Sequence, residues 1–226
     1  MKFIKPKFEH KKSYLIPSVD KENWEDASWA YYSRNPLIRE IYFSRLRKVL
    51  EMADEKRGQK ILDLGTGSGV LIPSLGKYNK VYAIDREKMF IKKAKKIAKM
   101  SNVKAICIRQ DISSKLPFKN SFFDAVFCVS VLEHIEDLDK VMKEVKRIIK
   151  PGGLFIVGLP IERFLVKSAF NIFGIKQHED RGHISDFADI NKKLKKYFDI
   201  ERTEKIPFNL FPDALSLYIV FKCRKK

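Results

Sequence analysis

ILDLGTGSG, residues Ile61–Gly69, is the stretch of this 226-residue chain that decides its fold. An apolar run as long as a buried strand leads directly into three glycines at alternate positions, Gly65, Gly67 and Gly69. Glycine adopts positive φ without strain and has no Cβ, so the backbone turns sharply there and a ligand can approach it closely. Open α/β sheets bind their ligands in such loops, at the carboxyl ends of central strands. The stretch therefore predicts a ligand site at a strand end.

The segments around this loop alternate between strands and helices. Buried strands are predicted at Lys60–Leu64, Val81–Ile84, Val103–Ile108, Ala125–Val129 and Leu154–Val157. Helical spacing of apolar residues predicts helices near residues 70–78, 87–99, 137–149 and 186–197. Two final strands are predicted near Phe198–Lys205 and Leu215–Cys223. Such alternation predicts an α/β fold, with a seven-stranded, mostly parallel sheet, helices on both faces and an antiparallel last strand.

Both flanks of the regular pattern carry additional segments. Residues 1–55 combine a basic arm, an aromatic helix and a second amphipathic helix, for which Asn35 is the expected N-cap and Pro36 the first residue. Residues 160–187 interrupt the strand-helix alternation and have the character of a lid-like insertion. No linker or internal repeat divides the chain, so a single domain over residues 1–226 is predicted.

Composition limits the class of protein. The chain is 45% hydrophobic and 33% charged, and no run approaches the roughly 18 apolar residues of a membrane span. Its N-terminus has no apolar signal region. Cys107, Cys128 and Cys223 lack metal-ligand spacing, which disfavours a zinc or disulfide framework. We expect a cytoplasmic protein, with a peripheral membrane location as the alternative.

The formal net charge of +18 has two interpretations. One is attraction to an anionic partner, such as nucleic acid, an acidic lipid surface or a phosphorylated substrate. The other is a solvated, lysine-rich surface of the kind that heat-adapted proteins carry, which the scarcity of glutamine and the excess of lysine over arginine favour. Specific nucleic-acid sites favour arginine and stacking aromatic residues.

The residues around the glycines discriminate between ligands. Val70 stands where the dinucleotide pattern requires Gly or Ala, and Asp63 would repel a pyrophosphate but can attract the ammonium group of an amino-acid ligand. Asp85 ends the second strand, where a carboxylate can accept both hydroxyls of a ribose. The alternative for Asp85 is the N-cap of a helix starting at Arg86.

At this point the chain resembles the class I S-adenosylmethionine-dependent methyltransferases. Five further landmarks stand in the family's order, namely Gln110-Asp111-Ile112, Leu116-Pro117-Phe118, Ser121–Asp124, Val131–His134 and Ile149–Leu154. The resemblance runs from about residue 35 to residue 197 and implies a Rossmann-like fold. It also implies S-adenosylmethionine as cofactor and S-adenosylhomocysteine as product.

The resemblance assigns cofactor-binding residues to this sequence. It implies that Asp63 and the loop residues Gly65, Thr66, Gly67 and Gly69 hold the methionine part of the cofactor. Asp85 would hold the ribose, with Arg86 beside it, and Asp111 and Ile112 the adenine. Val129, at the end of the fourth strand, completes the predicted set.

Two histidines are candidates for the chemistry. Methyl transfer to a phenol or alcohol benefits from a base that titrates near neutral pH, which histidine supplies. His134 follows the fourth strand, and His183 precedes the last helix. Each has a structural alternative: a helix-start residue for His134, and a bond that closes the insertion for His183. With Glu133 the two histidines are also candidate metal ligands, which leaves the use of a metal open.

A narrower resemblance concerns the acceptor. Asn35–Arg39, Val131–Ile135 and Gly182-His183 are similar to segments of the ubiquinone-biosynthesis O-methyltransferases, which act on membrane-borne polyprenyl phenols. In that family an arginine directly after Asn-Pro-Leu meets the cofactor's carboxylate. Ile38 intervenes here, so Arg39 is the candidate and Arg34 its rival. This resemblance implies a small-molecule or lipid-like acceptor.

Other acceptors and partners remain open. The apolar segment 161–175 is interpreted as an interfacial helix on an anionic membrane, a lid over an apolar substrate, or a segment packed on the sheet. RNA or protein methylation is the alternative activity, although the sequence has no Asn/Asp-Pro-Pro-aromatic motif after the fourth strand and no Pro-Cys nucleophile at Cys128. A non-catalytic cofactor-binding subunit is the third class.

Overall fold

The computed structural model describes residues 1–4, 31, 36–161, 184–206 and 216–226. Within it the chain forms two compact units, Met1–Ile112 and Ser113–Lys226. The single domain that the sequence predicts is not tested by this division and stays a prediction. Asn35, the expected N-cap of the second helix, lies outside the described residues, whereas Pro36 opens that helix as expected.

The first unit holds a three-stranded parallel sheet and three helices. Its elements are α1 (Pro36–Glu51), β1 (Lys60–Leu64), α2 (Ile72–Leu75), β2 (Lys80–Asp85), α3 (Lys88–Met100) and β3 (Ala105–Arg109). β2 lies between β1 and β3 and is parallel to both. Asp63 of β1 is in register with Ala83, and Asp85 with Arg109. Parallel register brings the carboxyl ends of these strands to one edge of the sheet.

Apolar burial explains why these segments form strands and helices. Ile61, Leu62 and Leu64 of β1 are fully buried, as a strand covered on both faces requires. α3 buries Ile91, Ala94, Ile97 and Ala98, which the three-four spacing of a helix places on one side. The unit therefore has a continuous core beneath the glycine loop.

The helix predicted near residues 70–78 is much shorter in the structure. α2 is a single turn, Ile72–Leu75, with Pro73 near its start. Gly76 follows it, and a Cβ at Gly76 would come within 2.1 Å of the Val103 side chain. Only glycine fits this close approach, and because glycine disfavours helix the turn ends there.

The second unit holds four strands and two helices. Its elements are β4 (Phe123–Val129), a 3₁₀ turn (Leu132–His134), α4 (Leu138–Ile148), β5 (Ile149–Pro160), α5 (Phe187–Tyr197), β6 (Phe198–Ile206) and β7 (Tyr218–Lys225). β4 is parallel to β5, and β7 lies antiparallel between β5 and β6. The predicted seven-stranded, mostly parallel sheet with an antiparallel last strand is thus confirmed.

β5 begins earlier than predicted. Its pairing with β4 starts at Ile149 opposite Phe123 and resumes at Leu154 opposite Ala125, so residues 150–153, which precede the predicted strand, form a bulge inside β5. Gly152 adopts a φ of +65°, which glycine tolerates without strain. The predicted helix 137–149 accordingly ends one residue early, because Ile149 pairs with β4.

Charged side chains join α4 to α5. Asp139 of α4 accepts hydrogen bonds from Lys193, from Lys196 at 2.8 Å and from Tyr197 Oη at 2.5 Å. These three donors hold the pKa of the Asp139 carboxyl well below its ordinary value. The lysines of α5 that face α4 are therefore committed to an acidic partner.

Candidate functional site

The three alternate glycines all have positive φ. The φ values are +75° at Gly65, +51° at Gly67 and +82° at Gly69. The backbone N–H groups of Gly65 and Thr66 both donate to the carbonyl of Ile84, at 2.9 and 2.8 Å. The loop thus folds back over the end of β2, a path that requires glycine because L side chains disfavour this part of φ/ψ space.

Gly67 and Gly69 serve different purposes in this loop. A Cβ at Gly69 would lie 2.8 Å from the Ala94 Cα and 2.9 Å from the Ile72 Cδ1, so the absent side chain lets α3 pack closely. A Cβ at Gly67 would meet nothing within 4 Å. Gly67 therefore presents bare backbone to open space, as a close-fitting ligand requires.

The carboxylate of Asp85 closes the site at the end of β2. The residue is 8% exposed, and burial raises its pKa above the ordinary value. Its Oδ2 accepts from the N–H of Gly67 and its Oδ1 from the N–H of Glu87, both at 2.9 Å. α3 begins at Lys88 with Glu87 in the N-cap position, so Asp85 is not the cap of a helix that starts at Arg86. Each oxygen keeps lone pairs with which a diol can be bound.

Asp63 lies beneath the loop. It is 3% exposed, and its Oδ2 accepts from the Thr66 hydroxyl at 2.6 Å. Burial, together with the nearby Asp85, raises the pKa of Asp63 to about 7, against the lowering effect of the Thr66 hydrogen bond. Asp63 and Thr66 thus brace the loop from inside.

The remaining predicted residues of the first unit follow β2 and β3. The N–H of Gln110 donates to the Asp85 carbonyl at 2.9 Å, which ties the segment after β3 to the end of β2. Ile112 is buried, whereas Asp111 is exposed. Arg86 is exposed, with its Nε 3.4 Å from a carboxylate oxygen of Glu87. An apolar and an acidic side chain follow β3, as an adenine site needs, and their role stays a prediction.

Arg39 lies half-exposed on α1, and its role toward a cofactor carboxylate stays a prediction. Residues 162–183 lie outside the described part of the chain, and with them most of the predicted lid, interfacial helix and His183. No helix that the structure describes is long and apolar enough to cross a membrane.

The second unit contributes a strained serine that the sequence did not reveal. Val129 ends β4, and Ser130 after it has a φ of +57°, which is uncommon for a residue with a side chain. Its N–H donates to the Gly158 carbonyl at 2.8 Å, and its Oγ lies 3.0 Å from the Tyr218 Oη. Strained backbone of this kind collects at functional sites. No local signal announces it, because Tyr218 is 88 residues away in sequence.

His134 ends the 3₁₀ turn of the second unit. The residue is half-exposed, and its N–H donates to the Val131 carbonyl at 3.0 Å. The Glu133 carbonyl accepts from Ile184 at 2.8 Å and Ser185 at 3.2 Å, so the chain after the insertion is fastened to this turn. The predicted catalytic roles of His134 and His183 stay predictions.

The described residues contain no group of three or more metal-ligating side chains. The hypothesis of a cation held by Glu133, His134 and His183 depends on His183, which lies outside those residues. Cys107, Cys128 and Cys223 form no disulfide bond in the described part of the chain.

Comparison with known proteins identifies relatives of this arrangement. Residues 62–157 match the family model described as "Methyltransferase domain". The chain is 32% identical over 140 residues to the ubiquinone biosynthesis O-methyltransferase of Vibrio parahaemolyticus serotype O3:K6. The matched region covers 61% of this chain and 60% of that protein. The chain thus spans about three fifths of the length of this curated relative.

Solved structures share the fold at low identity. A SAM dependent methyltransferase from Aquifex aeolicus superposes with a TM-score of 0.66, 19% identity and coverage of 89% of this chain and 99% of that one. The N-methyltransferase NodS from Bradyrhizobium japonicum WM9, solved in complex with S-adenosyl-L-homocysteine, gives a TM-score of 0.64 at 16% identity, over 94% and 98% of the two chains. At such identities the likeness establishes the fold.

The two glycines provide a matched test of the loop. We expect Gly69→Ala to lower the free energy of unfolding by about 2 kcal/mol or more, since its Cβ would overlap α3 at a positive φ. Gly67→Ala adds only the positive-φ strain, about 1 kcal/mol. Urea denaturation of both variants measures the difference. Equal destabilisation would contradict the assignment of Gly69 to packing and Gly67 to the open side.

Asp63 predicts a pH dependence of stability. Its pKa rises from 3.8 to about 7 on folding, so the folded chain binds the extra proton between these values. Ionisation of the buried carboxyl therefore lowers the free energy of unfolding as the pH rises through this window, by at most about 1.4 kcal/mol per unit, and no further above it. Asp63→Asn keeps the acceptor for Thr66 and lacks the titration, so its stability should fall less steeply. Urea denaturation between about pH 4 and pH 8 measures both slopes; parallel curves would refute a raised pKa.

Proposed function

We propose that this chain, whose residues 62–157 match the family model described as "Methyltransferase domain", transfers a methyl group from S-adenosylmethionine to a small-molecule or lipid-like acceptor. The observation that carries the donor is the pair formed by Asp85 and Gly67. A buried carboxylate fixed by two backbone N–H groups stands beside bare glycine backbone that opens to free space. Such an arrangement suits a ligand whose diol is held by the carboxylate and whose neighbouring part lies against the bare backbone of Gly67.

The residues fit S-adenosylmethionine in both shape and charge. The two Asp85 oxygens, already oriented by the protein, can accept the two ribose hydroxyls without reorganisation. The side of Gly67 where a Cβ would stand has room for the amino-acid part. The buried carboxyl groups of Asp63 and Asp85 favour a ligand that carries an ammonium group. The neighbour NodS, of the same fold, is solved with the demethylated product of this cofactor.

The cofactor supplies a methyl group on a positively charged sulfur, which leaves by in-line displacement. The protein's task is to hold the donor and the acceptor atom aligned and to keep water out. In the first unit the braced loop and Asp85 hold the donor. An oxygen acceptor also has to lose a proton, for which the half-exposed His134 is the proposed base.

The acceptor class is supported by relatives and by the sequence around His134. The relative from Vibrio parahaemolyticus is a ubiquinone biosynthesis O-methyltransferase, and it shares about a third of its residues with this chain over the matched region. We infer O-methylation of a phenol or similar hydroxyl group on a small or lipid-like molecule. RNA or protein methylation is the competing activity, and the substrate screen below discriminates between them.

Donor binding is tested by Asp85→Asn. An amide has one acceptor oxygen, so one ribose hydroxyl loses its partner and one backbone N–H faces an NH₂ group. We expect the affinity for S-adenosylmethionine, measured by titration calorimetry, to fall by about 10- to 100-fold.

The matched control is Glu87→Gln. It removes the same charge from an exposed side chain two residues after Asp85. Its affinity should stay within about threefold of that of the parent protein. Thermal denaturation verifies that both variants are folded. If the parent protein fails to bind S-adenosylmethionine, or if the two variants lose affinity equally, the proposed donor site is refuted.

The acceptor is tested by transfer of a tritiated methyl group to RNA, protein and lipid extracts. We expect label in the lipid or small-molecule fraction, in a hydroxyl-bearing compound. His134→Gln should then lower kcat by about 100-fold or more and remove the alkaline rise of the pH-rate profile, while donor affinity stays unchanged. Label confined to RNA or protein would refute the proposed acceptor class, and an unchanged pH profile would refute the base.

A further inference from the structure

α3 carries a larger excess of positive charge than any other helix that the structure describes. Residues 86–109 contain nine basic residues and a single acidic one, Glu87. Six of the nine are lysines of α3 itself, and α3 contains no acidic residue. By contrast, α4 and α5 contain acidic residues that pair with their own basic ones, as Glu144 pairs with Arg147 and Asp139 with Lys193.

Four of the six lysines of α3 stand on one face. We define the α3 lysine face as Lys88, Lys92, Lys95 and Lys99, all of which are exposed. Their spacing confines them to an arc of about 60° and a length of about 16 Å along the helix. A separate side of α3, with Ile91, Ala94, Ile97 and Ala98, is buried and anchors the helix in the first unit, while the α3 lysine face is exposed to solvent.

The charge of this face is not neutralised within the described part of the chain. No ion pair there includes any of the four lysines, and Lys88–Lys92 and Lys95–Lys99 are like-charged pairs four residues apart, which repel one another. The exposed Lys104 and Arg109 flank β3, which packs against α3. An external anion relieves this repulsion, so the face is complementary to a polyanionic surface.

The chemistry of the face favours lipid headgroups over nucleic acid. α3 contains lysine but no arginine, and its single aromatic residue, Phe90, is half-buried under Lys93. Nucleic-acid readout uses the planar fork of arginine and aromatic rings on which bases stack. Lysine clusters on amphipathic helices instead attract anionic membranes through their diffuse field.

We propose that the α3 lysine face docks the protein on an anionic membrane surface. The apolar residues of α3 are committed to the core, so docking is electrostatic and no part of α3 inserts. This proposal rests on the proposed function for its purpose, since docking would bring the enzyme to a lipid-like acceptor. The docking itself is measurable without methyl transfer.

The test is co-sedimentation with phosphatidylcholine vesicles that contain or lack phosphatidylglycerol. The full chain should bind only the anionic vesicles at about 0.1 M salt and be released at about 1 M. Lys92→Gln/Lys95→Gln/Lys99→Gln should weaken binding by about 100-fold, since each lysine near an anionic membrane is worth roughly fivefold, or about 1 kcal/mol. Glutamine keeps the helix propensity of lysine, so folding is retained.

The matched control is Lys119→Gln/Lys140→Gln/Lys143→Gln, which removes three exposed lysines from the second unit. It changes the net charge equally, and its vesicle binding should fall by less than about threefold. Equal losses in the two variants would show that net charge alone drives binding, and would overturn the proposal. Absence of binding to anionic vesicles would do the same.

Two further measurements separate the alternatives. Fluorescence anisotropy with labelled single-stranded and duplex RNA should detect weaker binding than the vesicles give. RNA binding that exceeds vesicle binding and depends on the α3 lysine face would overturn the membrane assignment. Calorimetry with S-adenosylmethionine should give equal affinities for the α3 variant and the parent protein. If the parent protein docks on anionic vesicles but does not bind S-adenosylmethionine, the proposed function is refuted. If it binds S-adenosylmethionine but does not dock, only the docking surface is refuted.

Discussion

The buried carboxylate of Asp85 imposes the constraint on which the candidate site depends. A charge at the end of β2 that is almost removed from water must be satisfied by hydrogen bonds, and two backbone N–H groups satisfy it. One of them belongs to Gly67, so the carboxylate holds the tip of the loop, and the Ile84 carbonyl holds its start. The end of β2 and the glycine loop are therefore held together, and a ligand that contacts one of them also contacts the other.

A second buried carboxyl, that of Asp63, lies near Asp85 and limits the negative charge of the site. Burial of Asp63, together with the nearby Asp85, raises its pKa to about 7, so Asp63 is only partly ionised near neutral pH and the negative charge beneath the loop is limited. The Thr66 hydroxyl donates to it and closes the loop from inside. A cation at the loop would favour the ionised form of Asp63. The site is thus balanced to accept a ligand that brings positive charge, as a sulfonium amino acid does.

The net charge of +18 is not evenly compensated over the chain. In the second unit, acidic residues of α4 form ion pairs with lysines of α5 and with an arginine of α4 itself, and the pairs with α5 join the two helices. In the first unit, α3 has no acidic residue, and its lysines alternate with the apolar residues that anchor it. The same kind of charge therefore serves packing in the second unit, whereas on α3 it forms an exposed lysine face that no acidic side chain among the described residues pairs with.

The sequence by itself determined the strand-helix order, the antiparallel last strand and the position of the glycine loop. Those features follow from apolar periodicity and from glycines and prolines that act within a few residues, which is why β1 was predicted to the residue and α3 within one. The length of α2 and the start of β5 were mispredicted because both depend on contacts between residues distant in sequence. Gly76 packs closely against Val103, and Ile149 pairs with Phe123. The division of labour between Gly67 and Gly69, the raised pKa of Asp63 and the strained Ser130 beside Tyr218 were decided by tertiary structure alone. Each depends on what surrounds the residue in space, and burial, close approach and desolvation exist only once the chain has folded.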